Sequence, residues 1–338
     1  MRICQVVASW DYGGLEKHVI ELSNRLSETQ DVTVIAHPLM QKHFAPTVNF
    51  VVVDFSQSRW SPRLYSQLLE AIKQAKPDVI HAQANKAALL VGRLRRWLPA
   101  GMRYVATLHN QKGDTGMFES FDRVIVVSPQ LASLVKKAPV TAIYNGVRLP
   151  PTAEQHNRTW LAAQFGLSAQ RPILVAVGRL VPAKGFDILI PAAAKAGVQI
   201  VIVGDGEQRD MLQALIARLG ASVVLAGFRS DVPALMAAAD GFVLSSRHEG
   251  FAYVFVEALL SRLPVVATAI PMVSDFVPPA LVVPVEDIVA LAEKLAWVGE
   301  NYAEWQIIMQ PVWQKASDCL TLEAMVQQTS AVYEELAS

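Results

Sequence analysis

The sequence contains little cysteine, little charge and no long apolar run. Its 338 residues include two cysteines, Cys4 and Cys319, too far apart to suggest a disulfide framework or a C-x-x-C zinc site. The longest uncharged stretches are about a dozen residues, such as 263–274, whereas a membrane-spanning helix needs roughly 20. Charged residues make up 18% and apolar residues 52%, which excludes a disordered chain and provides ample material for buried cores.

The first residues also lack the features of a targeting segment. Residues 1–9 lead directly into a strand-like pattern, without the apolar region and small-residue cleavage site of a signal peptide. Together with the scarcity of cysteine, this predicts a reducing, cytoplasmic location. Cys4 lies within an apolar run and is predicted to be an inert core residue.

The net charge is zero, but the charges are unevenly distributed. Residues 1–150 carry 18 Lys and Arg against 11 Asp and Glu, a net charge of +7, and the remaining residues carry 12 against 19, a net charge of −7. A basic first half favours an anionic partner there, with chance scatter as the alternative. The neutral isoelectric point, about 7.1, and the lack of a continuous basic stripe argue against nucleic-acid binding.

Apolar strand-like segments alternate with amphipathic helical segments along the chain, a pattern typical of parallel sheets with helices on both faces. Predicted helices in the first half include 63–74, 86–97 and 130–137. The polar, proline-rich segment 150–159 separates two such halves, and a final helical stretch from about Tyr302 is predicted to be interrupted at Pro311. We therefore predict an α/β protein with two doubly wound domains in tandem.

Ligands of open parallel sheets bind beyond the carboxyl ends of the strands, so the functional residues should follow strands and face a cleft between the two domains. In the first half, paired glycines at 13 and 14 open a helix, which favours a phosphate cradle, although a plain tight turn gives the same pattern. His109 follows another strand and is predicted either to face a ligand or to be a structural histidine.

In the second half, Arg179 and Lys184 follow a strand on a loop flanked by Gly178 and Gly185. A planar guanidinium and an ammonium point charge suit a diphosphate, and a solvated loop is the alternative. A glycine-rich turn at 204–206 and the pair Phe228 and Arg229 follow two further strands.

The most informative segment is 245–268, in which Glu249 precedes a predicted helix over 251–260 and Glu257 lies within that helix. Ionised carboxylates accept bidentate hydrogen bonds from sugar diols, so this spacing indicates hydroxyl recognition. Two surface glutamates are the alternative, which the apolar character of the helix disfavours.

In order and spacing, the segments 178–190, 204–215 and 248–268 resemble the retaining glycosyltransferases of family 4 (glycosyl transferases group 1), which have the GT-B fold. The segments 13–19, 78–83, 107–110 and 144–147 add weaker likeness, so the resemblance covers nearly the whole chain. It implies an acceptor-binding Rossmann-like domain over 1–152, a nucleotide-sugar-binding domain over 153–310, and a C-terminal helix over 311–338 that returns to the first domain.

The resemblance also implies residue roles. The catalytic residues would be Arg179 and Lys184 on the donor diphosphate, and Glu249 and His109 near the transferred sugar. The donor would further contact a set of glycine, aromatic and charged residues, namely Gly14, Gly178, Gly204, Phe228, Arg229, Gly250, Phe251 and Glu257, with Glu257 on the ribose. The acceptor would contact Asp11, Tyr12, Glu16 and Asn110.

The family resemblance implies no metal and no cofactor, because no Asp-x-Asp pair is present and the two cations replace it. Retention in this family is usually explained by same-face attack, in which the departing phosphate helps to take the acceptor proton. The sequence departs from the family pattern at Ala252, where glycine or proline is more frequent, at Arg262, where glycine is common, and at Arg148, where aspartate is usual.

The segment from Lys86 to Trp97 combines basic residues with leucines and a tryptophan, which favours a helix at an anionic membrane surface. An ordinary amphipathic helix packed on the sheet is the competing interpretation. If the segment lies at a membrane, peripheral on the inner face of the plasma membrane, the acceptor is expected to be lipid-linked or a phosphorylated lipopolysaccharide core.

We therefore predict a hexosyltransferase that moves a sugar from a nucleotide-sugar donor, with a UDP-sugar favoured, to a glycan or lipid-linked acceptor of the cell envelope. The alternatives are a phosphorylase or a sugar-nucleotide epimerase with the same fold, and a non-catalytic binding module. A nicotinamide dehydrogenase is disfavoured because no strand is followed by G-x-G-x-x-G.

Overall fold

The computed structural model describes residues 1–9, 13–110, 114–148, 156–249 and 251–338. These residues form two compact units, one made of Met1–Gly146 with Cys319–Ser338 and the other of Val147–Asp318. The boundaries predicted from the sequence are residues 152 and 310. The candidate loop residues Asp11, Tyr12 and Gly250 lie outside the described residues.

The described part of the first unit contains a seven-stranded parallel sheet in the order β3-β2-β1-β4-β5-β6-β7. Its strands are apolar runs whose residues are largely buried, as parallel sheets covered on both faces require. The strands are β1 (Arg2–Val7), β2 (Asp31–Ala36), β3 (Asn49–Val52), β4 (Val79–Gln83), β5 (Arg103–Leu108), β6 (Arg123–Val126) and β7 (Val140–Ala142).

The helices of this unit cover both faces of the sheet. They are α1 (Gly14–Leu26), α2 (Pro62–Ala75), α3 (Ala84–Leu94) and, from the end of the chain, α12 (Leu322–Ala337). One core lies beneath α2 and α3, and the other lies beneath α1 and α12. In the second core α12 contributes buried side chains such as Met325 and Tyr333, so the C-terminal helix returns to the first unit as predicted.

The described part of the second unit contains a six-stranded parallel sheet in the order β10-β9-β8-β11-β12-β13. Its strands are β8 (Ile173–Val177), β9 (Gln199–Val203), β10 (Val223–Gly227), β11 (Gly241–Leu244), β12 (Val265–Thr268) and β13 (Val282–Val283). Its helices are α4 (Arg158–Phe165), α5 (Phe186–Ala196), α6 (Arg209–Leu219), α7 (Val232–Ala238), α8 (Tyr253–Leu260), α9 (Pro271–Phe276), α10 (Ile288–Glu300) and α11 (Tyr302–Cys319).

Both sheets confirm the predicted doubly wound architecture. In each sheet the strand order reverses beside the first strand of the unit, between β1 and β4 in one and between β8 and β11 in the other. At such a point the connections leave in opposite directions and open a crevice at the carboxyl ends of the two central strands. The fold therefore marks the ends of β1, β4, β8 and β11 as the positions at which ligands bind.

The helix predicted over 130–137 is wrong. Pro129–Leu134 forms a short 3₁₀ helix, and the chain is extended at Val135. The backbone N–H groups of Lys136, Lys137 and Ala138 donate to the Glu119 carboxylate at 2.6–2.9 Å instead of to helical carbonyls. These hydrogen bonds also lower the pKa of Glu119.

The predicted interruption at Pro311 is also wrong, because α11 runs through it from Tyr302 to Cys319. A proline inside a helix removes one hydrogen bond, and tertiary packing compensates here. Trp305 is fully buried, its indole N–H donates to the Val265 carbonyl at 3.2 Å, and Trp313 donates to the Leu263 carbonyl at 3.3 Å. The helix is therefore fastened to the second sheet on both sides of Pro311.

The departure at Arg262 has a conformational consequence. Arg262 ends the turn after α8 with a φ of 56°, in the left-handed region that favours glycine. Its exposed side chain lies where the family commonly has glycine, so the chain keeps the turn with a strained residue.

Candidate active site

Two loops follow the central strands of the second sheet and meet at their carboxyl ends. The first carries Arg179 and Lys184 after β8, and the second carries Ser245 to Glu249 after β11. Neighbouring parallel strands end at the same edge, so these loops occupy the crevice that the topology marks. Residues far apart in sequence are brought together there.

Lys184 and Glu249 form an ion pair in this crevice. The Lys184 Nζ atom lies 2.6 Å from Glu249 Oε1, and the Ser246 hydroxyl donates to the same oxygen at 2.6 Å. The side chains of Lys184 and Glu249 are only 19% and 13% exposed, which strengthens their attraction relative to a surface pair. Lys184 is therefore held at a fixed position by a carboxylate of the neighbouring loop.

Several backbone contacts tie the two loops together. The Ser245 hydroxyl donates to the Lys184 carbonyl at 2.8 Å, and the Arg247 backbone N–H donates to the Ala183 carbonyl at 2.8 Å. Gly185 has a φ of 65°, and a Cβ there would lie 2.1 Å from the Ser245 carbonyl oxygen. The loop that carries Lys184 can therefore adopt this left-handed conformation beside Ser245 only with glycine at position 185.

Arg247 connects the loop after β11, which carries Glu249, to α5. Its guanidinium makes a bidentate pair with Asp187, with both N–O distances 2.8 Å, and lies 2.6 Å from a carboxylate oxygen of Glu286. These hydrogen bonds raise the pKa of Arg247, and the bond from Arg247 lowers the pKa of Asp187. Arg247 thus stabilises the loop that presents Glu249 and is itself committed to protein partners.

A cavity of about 370 Å³ opens beside the ion pair. Arg179 on its wall is exposed, and within the described ranges no carboxylate pairs with it. The cavity is thus lined by one cation available to an anionic ligand and one held by Glu249. Its wall consists of Val177, Gly178, Arg179, Val181, Ala183, Lys184, His248, Glu249, Phe251, Ala252, Tyr253 and Val254.

The structure places five of the predicted donor and catalytic residues on this cavity: Gly178, Arg179, Lys184, Glu249 and Phe251. Four other predicted donor residues do not line it. Phe228 is 83% exposed at the end of β10, Arg229 is paired with Asp231, Gly204 packs against the backbone of Gly178, and Glu257 lies partly buried within α8. Their predicted roles stay predictions.

In the first unit, Gly13 and Glu16 form the start of α1. The Glu16 carboxylate accepts a hydrogen bond from the Gly13 backbone N–H at 2.9 Å and another from the Ser9 hydroxyl. Glu16 is buried, whereas Gly14 and Asn110 are exposed. The predicted acceptor residue Glu16 therefore connects Ser9, which follows β1, to Gly13 at the start of α1.

His109 follows β5 and contacts buried polar groups of the first unit. Its Nε2 atom lies 2.8 Å from Gln83 Oε1, and its ring meets the ring of His18 edge-on with centroids 4.8 Å apart. Burial and the neighbouring His18 and His81 lower the pKa of His109 well below its usual value. His109 is therefore neutral at pH 7.

The sequence motifs do not point to the residues that support His109. Gln5 on β1, His81 and Gln83 on β4, and Tyr333 on α12 are buried and hydrogen-bonded to one another. A signal was present, because polar residues within otherwise apolar strands are unusual and require buried partners. Ser246 was also missed, and nothing in its sequence context distinguishes it from other loop serines.

Three histidines with lowered pKa values, His18, His81 and His109, predict an acid-sensitive first unit. Burial lowers the pKa of His18 to about 4 and that of His81 to about 3, and His109 is lowered as well. Between about pH 6.5 and 4 the unfolded chain therefore binds more protons, so the free energy of unfolding falls as the pH falls, by at most about 1.4 kcal/mol per pH unit for each histidine. We expect urea midpoints to drop between pH 7 and pH 5.

A matched pair of variants checks that origin. His18 is 5% exposed and interacts with the Asn145 side chain, so His18→Leu should reduce the pH slope by removing one buried group that must gain a proton. The exposed His43 serves as the control, and His43→Gln should keep the wild-type slope. An unchanged slope in His18→Leu would show that the acid sensitivity arises elsewhere.

The segment 86–97 forms α3 and a following 3₁₀ turn at Arg95–Trp97. Its apolar side packs into the core, as the competing interpretation predicted, through Ala87, Ala88, Leu90, Val91 and Leu94. Lys86 donates to the carbonyls of Phe55 and Gln57 at 2.5 and 3.1 Å, so it is engaged within the protein. Within the described ranges, no helix is both long and apolar enough to cross a membrane.

Two protein-family models match the chain. The model described as Glycosyltransferase Family 4 matches residues 12–149, and the model described as Glycosyl transferases group 1 matches residues 158–309. The second match includes the whole cavity with Arg179, Lys184 and Glu249. The chain belongs to the GT-B glycosyltransferases of family 4.

Two curated relatives of this chain have names that refer to lipopolysaccharide core biosynthesis and to mannose transfer. The lipopolysaccharide core biosynthesis glycosyltransferase LpsE of Rhizobium meliloti is 30% identical over 58% of this chain and 57% of its own length. The GDP-mannose-dependent alpha-mannosyltransferase of Mycolicibacterium smegmatis is 26% identical over 79% of each chain. The match to LpsE thus spans less than two thirds of that relative.

Solved structures show the same fold. The structure of Anabaena HepE in complex with UDP superposes with a TM-score of 0.81 at 24% identity, covering 99% of this chain and 100% of that one. The apo form of the lipopolysaccharide outer core galactosyltransferase WaaB superposes with a TM-score of 0.78 at 16% identity, covering 99% and 100%. At these identities the likeness establishes the GT-B fold of this family 4 chain.

Proposed function

We propose that this chain transfers a sugar from a nucleotide-sugar donor to a glycan or lipid-linked acceptor. The observation that carries the proposal is the cavity at the carboxyl ends of β8 and β11, where Arg179 and the Lys184–Glu249 pair lie together. Two cations beside a carboxylate fit a sugar attached to a diphosphate, because the cations bind the diphosphate and the carboxylate accepts hydroxyl protons. Family membership supports the same chemistry.

The donor diphosphate is proposed to bind Arg179 and Lys184. As the bond between the sugar anomeric carbon and the phosphate oxygen breaks, negative charge grows on the leaving diphosphate, and fixed cations stabilise that charge. Lys184 is already oriented by Glu249, so little reorganisation is needed when the charge develops. These cations supply the positive charge that a divalent metal supplies in other transferases, so we propose a metal-independent reaction without a cofactor.

We propose that the reaction retains the anomeric configuration through same-face attack. Glu249 is the carboxylate on the cavity wall, but its Oε1 atom accepts from both Lys184 and Ser246. These two donors occupy the lone pairs of Oε1 and reduce its nucleophilicity, which favours an electrostatic role over a covalent one. In same-face attack the departing phosphate takes the acceptor proton while the acceptor oxygen bonds to the anomeric carbon.

A UDP-sugar is the favoured donor, and the acceptor is proposed to be a cell-envelope glycan such as a lipopolysaccharide core. The complex of HepE with UDP supports UDP as the nucleotide of the donor. The mannosyltransferase named above is GDP-dependent, so the experiment includes both nucleotides. The name of LpsE supports the acceptor class. The acceptor is proposed to bind the first unit near His109 and Asn110.

Peripheral contact with an anionic membrane is proposed for the surface beside α3. Trp60 and Trp97 are 60% and 49% exposed, and the guanidinium groups of Arg93 and Arg96 lie 4.1 and 4.0 Å from their ring centroids. Exposed tryptophan next to arginine suits a headgroup interface. Trp97→Ala should reduce sedimentation with phosphatidylglycerol vesicles, and Arg218→Ala, an exposed arginine of the second unit, should not. Equal sedimentation of Trp97→Ala and wild type would refute the membrane contact.

The transfer reaction is tested by incubating the protein with UDP-, GDP- and ADP-sugars. Each donor is supplied alone, with a dephosphorylated lipopolysaccharide core, or with inorganic phosphate. The proposal predicts nucleoside diphosphate release that rises with the glycan and a product whose anomeric configuration, read by NMR, matches the donor. An epimerase would release free sugar and nucleotide without acceptor, and a phosphorylase would require phosphate. Either result would replace the transferase proposal.

A further inference from the structure

A chain of buried hydrogen bonds connects the C-terminal helix to His109. Gln5 Nε2 donates to the Tyr333 hydroxyl at 3.0 Å, and Gln83 Nε2 donates to Gln5 Oε1 at 2.9 Å. The next link joins Gln83 Oε1 to His109 Nε2 at 2.8 Å. Gln5, Gln83 and Tyr333 are at most 1% exposed, so water does not compete for these hydrogen bonds.

The hydrogen bonds of a side branch fit this direction of the chain. The Tyr333 hydroxyl lies 2.5 Å from His81 Nδ1, and His81 Nε2 lies 2.6 Å from the Thr107 hydroxyl oxygen. Because the Tyr333 oxygen accepts from Gln5, its single proton is available for His81 Nδ1, and His81 then carries its own proton on Nε2 and donates to Thr107. Burial keeps His81 neutral by lowering its pKa to about 3, which agrees with this assignment.

The direction of the chain determines which nitrogen of His109 carries the proton. The amide nitrogen of Gln83 donates to Gln5, so the Gln83 atom facing His109 is the carbonyl oxygen, which only accepts hydrogen bonds. His109 Nε2 must therefore donate. In the neutral ring Nδ1 is then left as the atom with a free electron pair.

We propose that Gln83 is a positioning residue that fixes His109 in its Nε2–H tautomer and so presents Nδ1 as a hydrogen-bond acceptor for a substrate hydroxyl. This inference rests on the proposed function, in which the acceptor binds the first unit near His109. It assigns to Gln5 and Tyr333 the task of holding the Gln83 amide in one orientation. The C-terminal helix thereby acts on the orientation of a site residue through Tyr333.

The edge-on contact with His18 adds to the positioning of His109. The edge-on contact with His18 positions the imidazole plane, while the hydrogen bond to Gln83 fixes rotation within that plane. A neutral histidine with a defined tautomer accepts a hydroxyl proton in one direction only. Loss of Gln83 would leave the ring in place but free to exchange tautomers.

The test combines nitrogen NMR with kinetics. In protein labelled with ¹⁵N-histidine, and with His109→Asn to assign the signals, the ring shifts report which nitrogen is protonated. Wild type should show Nε2–H at pH 7. Gln83→Met, which removes the acceptor and keeps the side-chain length, should populate the Nδ1–H form and lower kcat for transfer about 10–100-fold with the donor KM nearly unchanged.

Gln199→Met is the matched control. Gln199 is equally buried, bonds to Ser168 and Arg171, and lies in the second unit, so its loss should reduce stability without changing the His109 shifts or kcat. Gln83→Glu keeps an acceptor oxygen and should restore the Nε2–H signal lost in Gln83→Met.

The outcomes separate this inference from the proposed function. A wild-type His109 protonated at Nδ1, or a kcat for Gln83→Met equal to that of Gln199→Met, would overturn the positioning role. The wild-type spectrum needs no variant, so it decides the tautomer even if Gln83→Met does not fold. A protein that shows the Nε2–H signal but transfers no sugar from any nucleotide donor would overturn the proposed function and, with it, the catalytic purpose of the tautomer.

Discussion

Lys184→Ala is expected to lower the turnover number for sugar transfer by about 10²–10³-fold. The ammonium stabilises charge that develops on the leaving diphosphate, and its loss also leaves Glu249 without a cationic partner in a site where that side chain is only 13% exposed. A carboxylate beside the diphosphate whose charge no cation balances repels it, so the donor KM should rise as well. Initial rates at varied donor concentration measure both changes.

Two further variants make this result specific. Lys195 is an exposed lysine at the end of α5, and Lys195→Ala should keep wild-type kinetics. Lys184→Arg keeps a cation beside Glu249 and should recover part of the lost rate, although a planar guanidinium does not reproduce an ammonium point charge. If Lys184→Ala and Lys195→Ala gave equal turnover numbers, Lys184 would have no part in the chemistry.

Gly204→Ala is expected to lower the free energy of unfolding by more than about 3 kcal/mol. Gly204 has a φ of 142°, which side chains rarely adopt, and a Cβ there would lie 1.9 Å from the Gly178 carbonyl oxygen. The Gly204 backbone N–H also donates to the Gly227 carbonyl at 2.9 Å. The backbone cannot move away from Gly178 without breaking this hydrogen bond at the end of β9.

Gly220→Ala provides the control for Gly204→Ala. Gly220 ends α6 with a φ of 57°, and a Cβ there meets nothing within 4 Å, so only conformational strain of about 1 kcal/mol is expected. Urea denaturation followed by circular dichroism compares the two. Similar losses in both variants would show that the close approach of Gly204 to Gly178 does not constrain the site, and the position of Arg179 would then need another explanation.

The alternation of apolar strands and amphipathic helices was enough to predict two doubly wound domains, because parallel strands buried on both faces leave continuous apolar runs in the sequence. Predictions from local sequence patterns were wrong where contacts with side chains distant in sequence decide the backbone conformation. The segment 130–137 has helical spacing, but Glu119 binds the N–H groups of its last residues. At Pro311, the buried Trp305 keeps a helix that the proline alone would interrupt.

The cavity residues were predictable because strand ends in this fold carry ligands, and motif spacing placed Arg179, Lys184 and Glu249 at such ends. The ion pair between Lys184 and Glu249 was not predictable, since it depends on two loops 65 residues apart. The polar network of the first unit was harder still. The hydrogen bond between His81 and Tyr333 spans 252 residues, and only the tertiary return of α12 creates it.

The central claim is that the cavity beside Lys184 binds the diphosphate of a nucleotide-sugar donor. Isothermal titration of wild type and of the Arg179→Ala, Lys184→Ala double variant with UDP, GDP and ADP tests it most directly. The account predicts that one nucleotide, with UDP favoured, binds wild type and that the double variant binds it at least about 10-fold more weakly, because two charged contacts are lost. Folded wild-type protein that binds none of the three nucleotides, or equal affinity in the double variant, would contradict the claim.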